Sequence, residues 1–105
     1  MSYKWPEKDP DETSDFSVDW SRFLGDDSIV STVFFVDDAN GTKTQVSTAQ
    51  FVNGIQFIQS TVSGNVATAR FAQGTNNLRY NVTCRINTTQ GLTFERSVIL
   101  PVRNR

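Results

Sequence analysis

Histidine is absent from this 105-residue sequence, and cysteine occurs once, at Cys84. Histidine is the commonest general base and the commonest metal ligand near neutral pH, so its absence argues against most acid–base and metal-dependent catalysis. A single cysteine excludes an intrachain disulfide and a zinc site built from cysteines. Because Cys84 lies in an alternating stretch with no evident basic partner, we predict an inert thiol packed inside a strand.

Motifs that activate a nucleophile are also missing. Serine and threonine are abundant, yet neither a lysine dyad nor a Gly-x-Ser-x-Gly turn is present to activate one of them. The carboxylates of Asp9, Asp11 and Glu12 lie close together, but their segment offers nothing to form a catalytic pocket around them. The sequence therefore predicts no enzyme and no bound cofactor.

Two acidic turns contain residues of the kind that bind calcium. Asp37, Asp38 and Asn40 share one turn, and Asp26 and Asp27 share another. A calcium site needs about 6–8 oxygen ligands at defined spacing, which neither turn supplies. Since aspartate and asparagine are ordinary turn residues, we predict turns here and no metal site.

Features that bind membranes or nucleic acids are lacking as well. No apolar run approaches the roughly 20 residues of a membrane-spanning helix, and the opening M-S-Y-K-W-P-E-K does not have the form of a signal peptide. The formal net charge is −1, and no basic cluster is interleaved with aromatic residues. We expect neither a membrane nor a nucleic acid as partner.

The small net charge hides an asymmetry along the chain. Residues 1–50 contain ten acidic and four basic residues, a balance of −6, whereas residues 51–105 contain one acidic residue and six arginines, a balance of +5. One interpretation is that the acidic half folds back on the basic strands of its own chain. The other is head-to-tail association between copies, steered by opposite charges.

Short alternating stretches between turn signals predict an all-β domain. Asn40-Gly41 and Asn53-Gly54 are tight-turn dipeptides, because asparagine and glycine tolerate a positive φ, and residues 21–27 are interpreted as a polar turn. The stretches predicted to be strands are residues 16–20, 29–36, 44–51, 55–62, 66–71, 78–87 and 92–100. About seven short strands favour a sandwich over a barrel.

The last two strands resemble the closing hairpin of immunoglobulin-like domains. In that family a tyrosine after a polar corner anchors the penultimate strand, and the resemblance implies this role for Tyr80; the paired cysteines of the family are absent. We therefore expect an all-β, immunoglobulin-like antiparallel β-sandwich of about seven strands with an extended N-terminal arm. The side chains expected in or bordering its core are Phe16, Val18, Trp20, Val33, Phe35, Phe57, Tyr80, Val82 and Leu100.

Residues 1–15 are predicted to be the extended arm, and residues 16–105 the sandwich domain. Pro6 and Pro10 exclude a continuous helix, and the charges between them leave little to bury. Tyr3 and Trp5 are anchors of the kind that interfaces favour, so we expect the arm to bind a partner and to be ordered only in an assembly. The residues expected to contact a partner, with the acids facing arginines of a neighbouring copy, are Tyr3, Trp5, Asp9, Asp11, Glu12, Arg79, Arg85, Arg103 and Arg105.

The stretch K-D-P-D-E…F-S-V-D-W…L-G-D-D-S-I, followed by Y-x-V-x-C and T-x-G-L-T-F-E-R-S-V, resembles small virion proteins of tailed bacteriophages. These are fibre–tail adaptors, neck proteins and other minor structural components. The resemblance implies a non-enzymatic virion protein, assembled in the host cytoplasm, that links tail, neck or fibre subunits and is present in several copies in a ring.

Two alternatives remain open at this point: a capsid decoration (cement) protein and a carbohydrate-binding module for the host surface. A carbohydrate binder is expected to expose a cluster of aromatic residues on loops, whereas the aromatic residues here are predicted to lie in strands. Trp20 illustrates the choice, because it is either a core anchor or, if exposed, a contact with a sugar or a partner protein.

Overall fold

A computed structural model describes residues 3–104, which form nine β-strands and one helical turn. The strands are β1 (Tyr3–Lys4), β2 (Ser14–Asp19), β3 (Ile29–Asp37), β4 (Lys43–Gln45), β5 (Gln50–Val52), β6 (Ile55–Ser63), β7 (Val66–Gln73), β8 (Arg79–Thr88) and β9 (Thr93–Pro101). The helical turn, α1 (Ser21–Leu24), connects β2 to β3. The prediction of an all-β fold is confirmed.

The strands form two sheets that enclose one core. The first sheet has the order β1-β9-β8-β3-β4, and the second has the order β2-β7-β6-β5. Within residues 3–104 these strand pairings are antiparallel except that of β1 with β9, which is parallel. The predicted sandwich is therefore confirmed.

The strand order is relevant to the expected immunoglobulin-like topology. Immunoglobulin sandwiches place strands B, E and D together in one sheet and strands C, F and G in the other. Here β2, β7 and β6 adjoin in one sheet, and β3, β8 and β9 adjoin in the other. Tyr80 also makes the contact that the resemblance implies, since its hydroxyl accepts a hydrogen bond from Thr75 N (2.8 Å) and donates one to Asn53 O (2.7 Å). The immunoglobulin-like assignment stays a prediction that these two features support.

Seven of the nine side chains predicted for the core lie in it, namely Phe16, Val18, Trp20, Phe57, Tyr80, Val82 and Leu100. Val33 is a correction, because it lies on the outer face of the first sheet and outside this cluster. Phe35 lies on the same outer face, yet it is buried there. The register shows this, since Phe34 and Val36 pair with Cys84 and Val82 and these four residues belong to the core cluster, whereas Val33 and Phe35 alternate with them on the opposite face. The run 29–36 is apolar on both faces, so alternation alone does not indicate which face points inward.

The stretch 44–51, predicted to be one strand, is instead two short strands in different sheets. β4 pairs with β3 in the first sheet, and β5 pairs with β6 in the second. Between them the chain turns, with hydrogen bonds from Gln50 N to Ser47 O and from Ser47 N to Gln50 Oε1, and Ala49 has a positive φ of 64°. The chain thereby crosses from one sheet to the other.

The N-terminal segment packs on the sandwich of its own chain. Trp5 is 8% exposed and belongs to the core cluster, and its Nε1 donates a hydrogen bond to Ser17 O at 2.9 Å. Lys8 is 1% exposed, and its Nζ donates hydrogen bonds to Gln73 O (2.6 Å) and Asp9 O (2.9 Å). These contacts argue against an arm that is ordered only in an assembly, although the domain boundary after residue 15 stays a prediction.

Candidate interaction surfaces

The acidic loop at residues 9–12 lies around the buried ammonium group of Lys8. Asp9 Oδ1 accepts a hydrogen bond from Asp11 N at 2.9 Å, and Glu12 Oε1 accepts one from Asp9 N at 3.2 Å. Burial lowers the pKa of Lys8, and the charges of Glu12, Asp9 and Asp11 oppose that shift. The acidic run that was expected to face a neighbouring copy thus also compensates a buried charge within the chain.

Two ion pairs join acids of the first half of the chain to arginines of the second. Asp15 accepts two hydrogen bonds from the guanidinium of Arg70, at 2.8 and 3.2 Å, and Glu7 lies 3.9 Å from Arg103. The hydrogen bond from Arg70 is the main cause that lowers the pKa of Asp15. Both pairs are exposed, so they contribute little to stability, but they account for part of the charge asymmetry within one molecule.

Arg85 is held on the outer face of the first sheet. Its Nε donates a hydrogen bond to Glu95 Oε2 at 2.6 Å, and Lys43 Nζ donates one to Glu95 Oε1 at 3.0 Å. The guanidinium of Arg85 lies 4.6 Å from the ring centroid of Phe35, which explains why this outward ring is only 8% exposed. The guanidinium of Arg85 is therefore already bound to residues of its own chain.

Arg79 and Arg103 come together with Lys4 around a shallow depression. This depression has a volume of about 120 Å³ and also contains Glu7. Neither Lys4 nor Arg79 forms an ion pair with another residue between 3 and 104. We call this group of three cations the basic depression. Of the predicted partner-binding residues, Arg105 lies outside the described residues.

Tyr3 and Trp5, the two predicted aromatic anchors, have different environments. Trp5 is buried, whereas Tyr3 is 44% exposed. The guanidinium of Arg96 lies between two rings, with its Cζ 4.7 Å from the centroid of Tyr3 and 4.5 Å from that of Trp20. Arg96 Nη1 also donates a hydrogen bond to Asp19 O at 3.3 Å. Of the pair, only Tyr3 can reach a partner.

One end of the sandwich exposes apolar side chains that sequence analysis did not single out. Phe23 of α1 is 54% exposed and Leu92, in the connection between β8 and β9, is 47% exposed. The ring of Phe23 packs edge-on against Phe94 at 4.7 Å and against Trp20 at 5.7 Å. We call Phe23 and Leu92, with the half-buried Phe94 beneath them, the end surface.

The carboxylate of Asp27 stabilises the loops that carry the end surface. Its Oδ1 accepts hydrogen bonds from Thr89 Oγ1 (2.7 Å), Ser28 N (2.8 Å) and Gln90 N (3.3 Å). Burial alone would raise the pKa of Asp27, but hydrogen bonds from Thr89, Thr88, Ser28 and Gln90 together lower it below its ordinary value of 3.8. The segment between α1 and β3 is thereby fixed to the β8–β9 hairpin.

The sequence contained one signal for this end surface. The segment S-R-F-L-G-D-D was interpreted as a polar turn, yet its centre contains Phe23 and Leu24 side by side. In the structure Leu24 is buried and Phe23 is exposed, because a single helical turn can direct only one of two adjacent side chains into the core. A large apolar residue next to a buried one in a short turn is a candidate for a partner contact.

Residues 3–104 offer neither a membrane-spanning helix nor a cluster of metal ligands. This part of the chain contains no helix with the length and apolar character to cross a membrane. Nor do three or more carboxylate or thiol side chains converge there in a way that could hold a metal ion. Cys84 is 1% exposed, and burial raises the pKa of its thiol, as expected for a packed, inert cysteine.

Comparison with known proteins identifies the family. The model of the family Gp77, described as podophage GP4 fiber-tail adaptor protein gp77, matches residues 8–101. No protein of curated function matches the chain in sequence. The match extends from the buried Lys8 to the end of the last strand, and it agrees with the resemblance to virion proteins of tailed phages. The chain belongs to the podophage GP4 fiber-tail adaptor family.

Proposed function

We propose that the protein joins fibre and tail subunits of the virion through non-covalent contacts made by the end surface. The family supplies the general role, a structural component of the phage fibre–tail adaptor that binds other tail or fibre proteins. The end surface makes the contact, and the protein acts by binding and without catalysis.

The exposure of Phe23 carries this proposal. Phe23 is more than half exposed, and it lies on rings that are themselves packed into the sandwich, so its position is defined before any partner arrives. Rigid aromatic side chains that lose little conformational entropy on binding are favoured as interface hot spots. Leu92 extends the apolar area beside it. A partner that covers both side chains removes them from water.

The family match favours this role over the two alternatives, a capsid decoration protein and a carbohydrate-binding module. A fibre–tail adaptor has to contact more than one neighbour, and the end surface and the basic depression are separate surfaces on this chain.

We propose that copies are arranged in a ring within the virion and that the basic depression contacts a neighbouring copy. Arg79 and Arg103 are the predicted partner-binding residues that line this depression. Their proposed partners are the acidic residues of a neighbouring copy, Asp9, Asp11 and Glu12.

A pair of matched substitutions tests the end surface. Phe23→Ser removes the exposed ring of the end surface, and Phe51→Ser removes a ring of similar exposure, 57%, on β5 near the opposite end. Variants are supplied to cells infected by phage lacking the gene, and their incorporation into purified particles is quantified. We expect Phe23→Ser to reduce incorporation about tenfold or more, the consequence of losing a hot-spot side chain, and Phe51→Ser to leave it unchanged.

Melting temperatures of the isolated variants provide the control for folding. Phe23→Ser is expected to lower the melting temperature by a few degrees at most, because the side chain is mainly exposed. Equal incorporation of both variants would contradict the assignment of the end surface. Loss of incorporation in both would indicate that the virion contact involves the opposite end as well.

A further inference from the structure

The two lateral sides of the sandwich differ in how their edges are covered. On one side β2 is an edge strand, and two of its carbonyl groups are already bound. Trp5 Nε1 donates a hydrogen bond to Ser17 O, and Arg96 Nη1 donates one to Asp19 O. Side chains that bind the free edge of a strand prevent it from pairing with another chain. The edge of β2 is therefore blocked at these two positions.

On the opposite side, two edges lack a partner strand along much of their length. β4 pairs with β3 only at residues 35–37, and β5 pairs with β6 only at residues 55–57. Ile29 N of β3 donates a hydrogen bond to Asn65 Oδ1 of the β6–β7 turn. Within residues 3–104, no strand lies beside the outer edges of residues 30–33 of β3 and residues 58–63 of β6. The two open edges therefore lie in different sheets on the same side of the sandwich.

The register shows which backbone groups point outward from β6. Ser63 and Val66 flank the two-residue turn of the β6–β7 hairpin, and Thr61 pairs with Thr68. In a two-residue hairpin the flanking pair is hydrogen-bonded, and hydrogen-bonded pairs alternate along the ladder. The N–H and C=O groups of Ser60 and Val62 consequently point away from β7 and towards solvent.

A cleft between the sheets opens at these two edges. Ser60 and Val62 pair with Ala69 and Ala67, which are fully buried, so their side chains lie on the inner face of the sheet. Val62 is nevertheless 38% exposed. The cleft has a volume of about 370 Å³ and is lined by residues of both edges, among them Thr32 on β3 and Ser60 on β6, with apolar side chains at its base.

Neither edge contains a charged residue. Residues 29–36 and 55–63 consist of apolar, hydroxyl and amide side chains only, and the same is true of the lining of the cleft. Exposed strand edges are ordinarily protected by charges, prolines or covering loops. The absence of charge also defines the partner, because a charged side chain placed in this cleft would lose water without gaining a counterion.

We propose that this open edge accepts an extended, uncharged segment of another virion protein, which adds as a strand beside β6 and inserts alternate side chains into the cleft. Strand addition of this kind uses main-chain hydrogen bonds for affinity and side-chain pockets for specificity. The segment has apolar residues on the inner face that it shares with Ser60 and Val62 and polar residues facing solvent. This site is separate from the end surface and does not depend on it.

A single extended segment fits this site better than a second copy of the chain. Pairing of β6 with β6 of another copy would continue the second sheet alone and would leave the edge of β3 uncovered. Thr32 and Ser60 line the same cleft, so a single strand added beside β6 lies next to the edge of β3 as well. The occupant is therefore a partner segment and not a second sandwich.

Two substitutions test the edge by different mechanisms. Ser60→Pro removes one outward N–H and preserves the hydrogen bonds to β7, which involve the neighbouring residues. Val62→Lys introduces a charge at an inward-facing edge position, and Val62→Thr is its matched control of similar shape. We expect Ser60→Pro and Val62→Lys to reduce incorporation into particles at least tenfold, Val62→Thr to incorporate normally, and all three isolated proteins to melt within a few degrees of the wild type.

Amide hydrogen exchange keeps the proposal testable if the proline variant fails to fold. In the isolated wild-type protein the amides of Ser60 and Val62 are expected to exchange rapidly, while that of Thr61, bonded to β7, exchanges slowly. In purified particles Ser60 and Val62 should become protected as well. Unchanged exchange in particles, or normal incorporation of Val62→Lys, would overturn the proposal.

The oligomeric state of the isolated protein distinguishes the two possible occupants. Strand addition by a partner predicts a monomer by sedimentation in both wild type and Val62→Lys. A wild-type dimer that Val62→Lys dissociates would overturn the proposal in favour of pairing between copies. A defect confined to Phe23→Ser, with normal behaviour of the β6 variants, would leave the proposed function intact and refute the strand-addition site alone.

Discussion

At the scale of single residues, Tyr80 connects two loops through one hydroxyl group. It bonds the backbone of Thr75 and of Asn53, and the adjacent Gly54 permits the close approach, since a Cβ at that position would lie 2.4 Å from Thr75 Oγ1. Gly54 also has a φ of 89°, which other residues adopt only with strain. The corner therefore requires both the hydroxyl group of Tyr80 and the absence of a side chain at Gly54.

We predict that Tyr80→Phe lowers the free energy of unfolding by about 1–3 kcal/mol, because a backbone donor and a backbone acceptor lose their partner inside the protein. Urea denaturation measures the change. Tyr3→Phe is the matched control, since Tyr3 is exposed and its substitution is expected to change stability by no more than about 0.5 kcal/mol. Equal effects of the two substitutions would show that the corner contributes nothing specific.

The lowered pKa of Asp27 predicts that the stability of the protein depends on pH. The pKa of Asp27 is lowered in the folded protein, so folding favours the ionised carboxylate. The resulting stability is fully present above the ordinary pKa of 3.8, and it is lost as the pH falls through the lower pKa of the folded state. We expect Asp27→Asn to melt below the wild type at pH 6, and the difference between the two to shrink as the pH is lowered towards 3. A constant difference across this range would show that the charge of Asp27 is unimportant.

At the scale of elements, the N-terminal segment behaves as part of the sandwich. Trp5 closes one side of the core and binds the edge of β2, while Lys8 inserts its ammonium group beside the end of β7. The backbone of the segment is also bonded, from Trp5 N to Ile99 O and from Lys8 N to Pro101 O. An arm that is ordered only in an assembly would lack these contacts in the isolated chain.

Deletion of residues 1–12 is therefore expected to destabilise the isolated protein. Removal of a buried tryptophan alone costs about 3–5 kcal/mol, which for a domain of this size corresponds to a fall in melting temperature of roughly 10 °C or more. Trp5→Phe is the milder control, since it retains most of the buried ring and loses the bond to Ser17 O. An unchanged melting temperature after the deletion would restore the interpretation of residues 1–15 as a separate arm.

The sequence predicted some elements well and others poorly, for reasons that particular residues show. The hairpin around Gly54 and the inward face of β8 were correctly predicted because local turn chemistry and strict alternation determine them. The burial of Trp5 and Lys8 was missed because it depends on a parallel pairing with β9, more than 90 residues away. The division of residues 44–51 was missed because no proline or glycine marks the crossing between sheets.

At the scale of the whole molecule, the resemblance that indicated the family rests largely on residues with structural roles. The lysine of K-D-P-D-E is the buried Lys8, and the tryptophan of F-S-V-D-W is the buried Trp20. The surfaces that we propose to bind partners lie elsewhere, at Phe23, at the edge of β6 and in the basic depression. The sequence could therefore indicate the family without indicating the site, because burial produces regular patterns and partner contacts do not.

The charge of the basic depression predicts a contact between copies of the protein. Lys4, Arg79 and Arg103 place three positive charges around one shallow surface that contains a single carboxylate, that of Glu7. We expect such a surface to attract the acidic segments of the same chain in a neighbouring copy. Salt should weaken the attraction, because the Debye length falls to about 8 Å at physiological ionic strength. We expect substitution of all three residues by alanine to reduce the number of copies per particle. We also expect wild-type copies to dissociate from disrupted particles more readily at high salt.

Arg70→Ala is the matched control, since Arg70 pairs with Asp15 of its own chain, and it should leave the copy number unchanged. A triple variant present at the wild-type copy number would show that neighbouring copies do not contact one another through this surface.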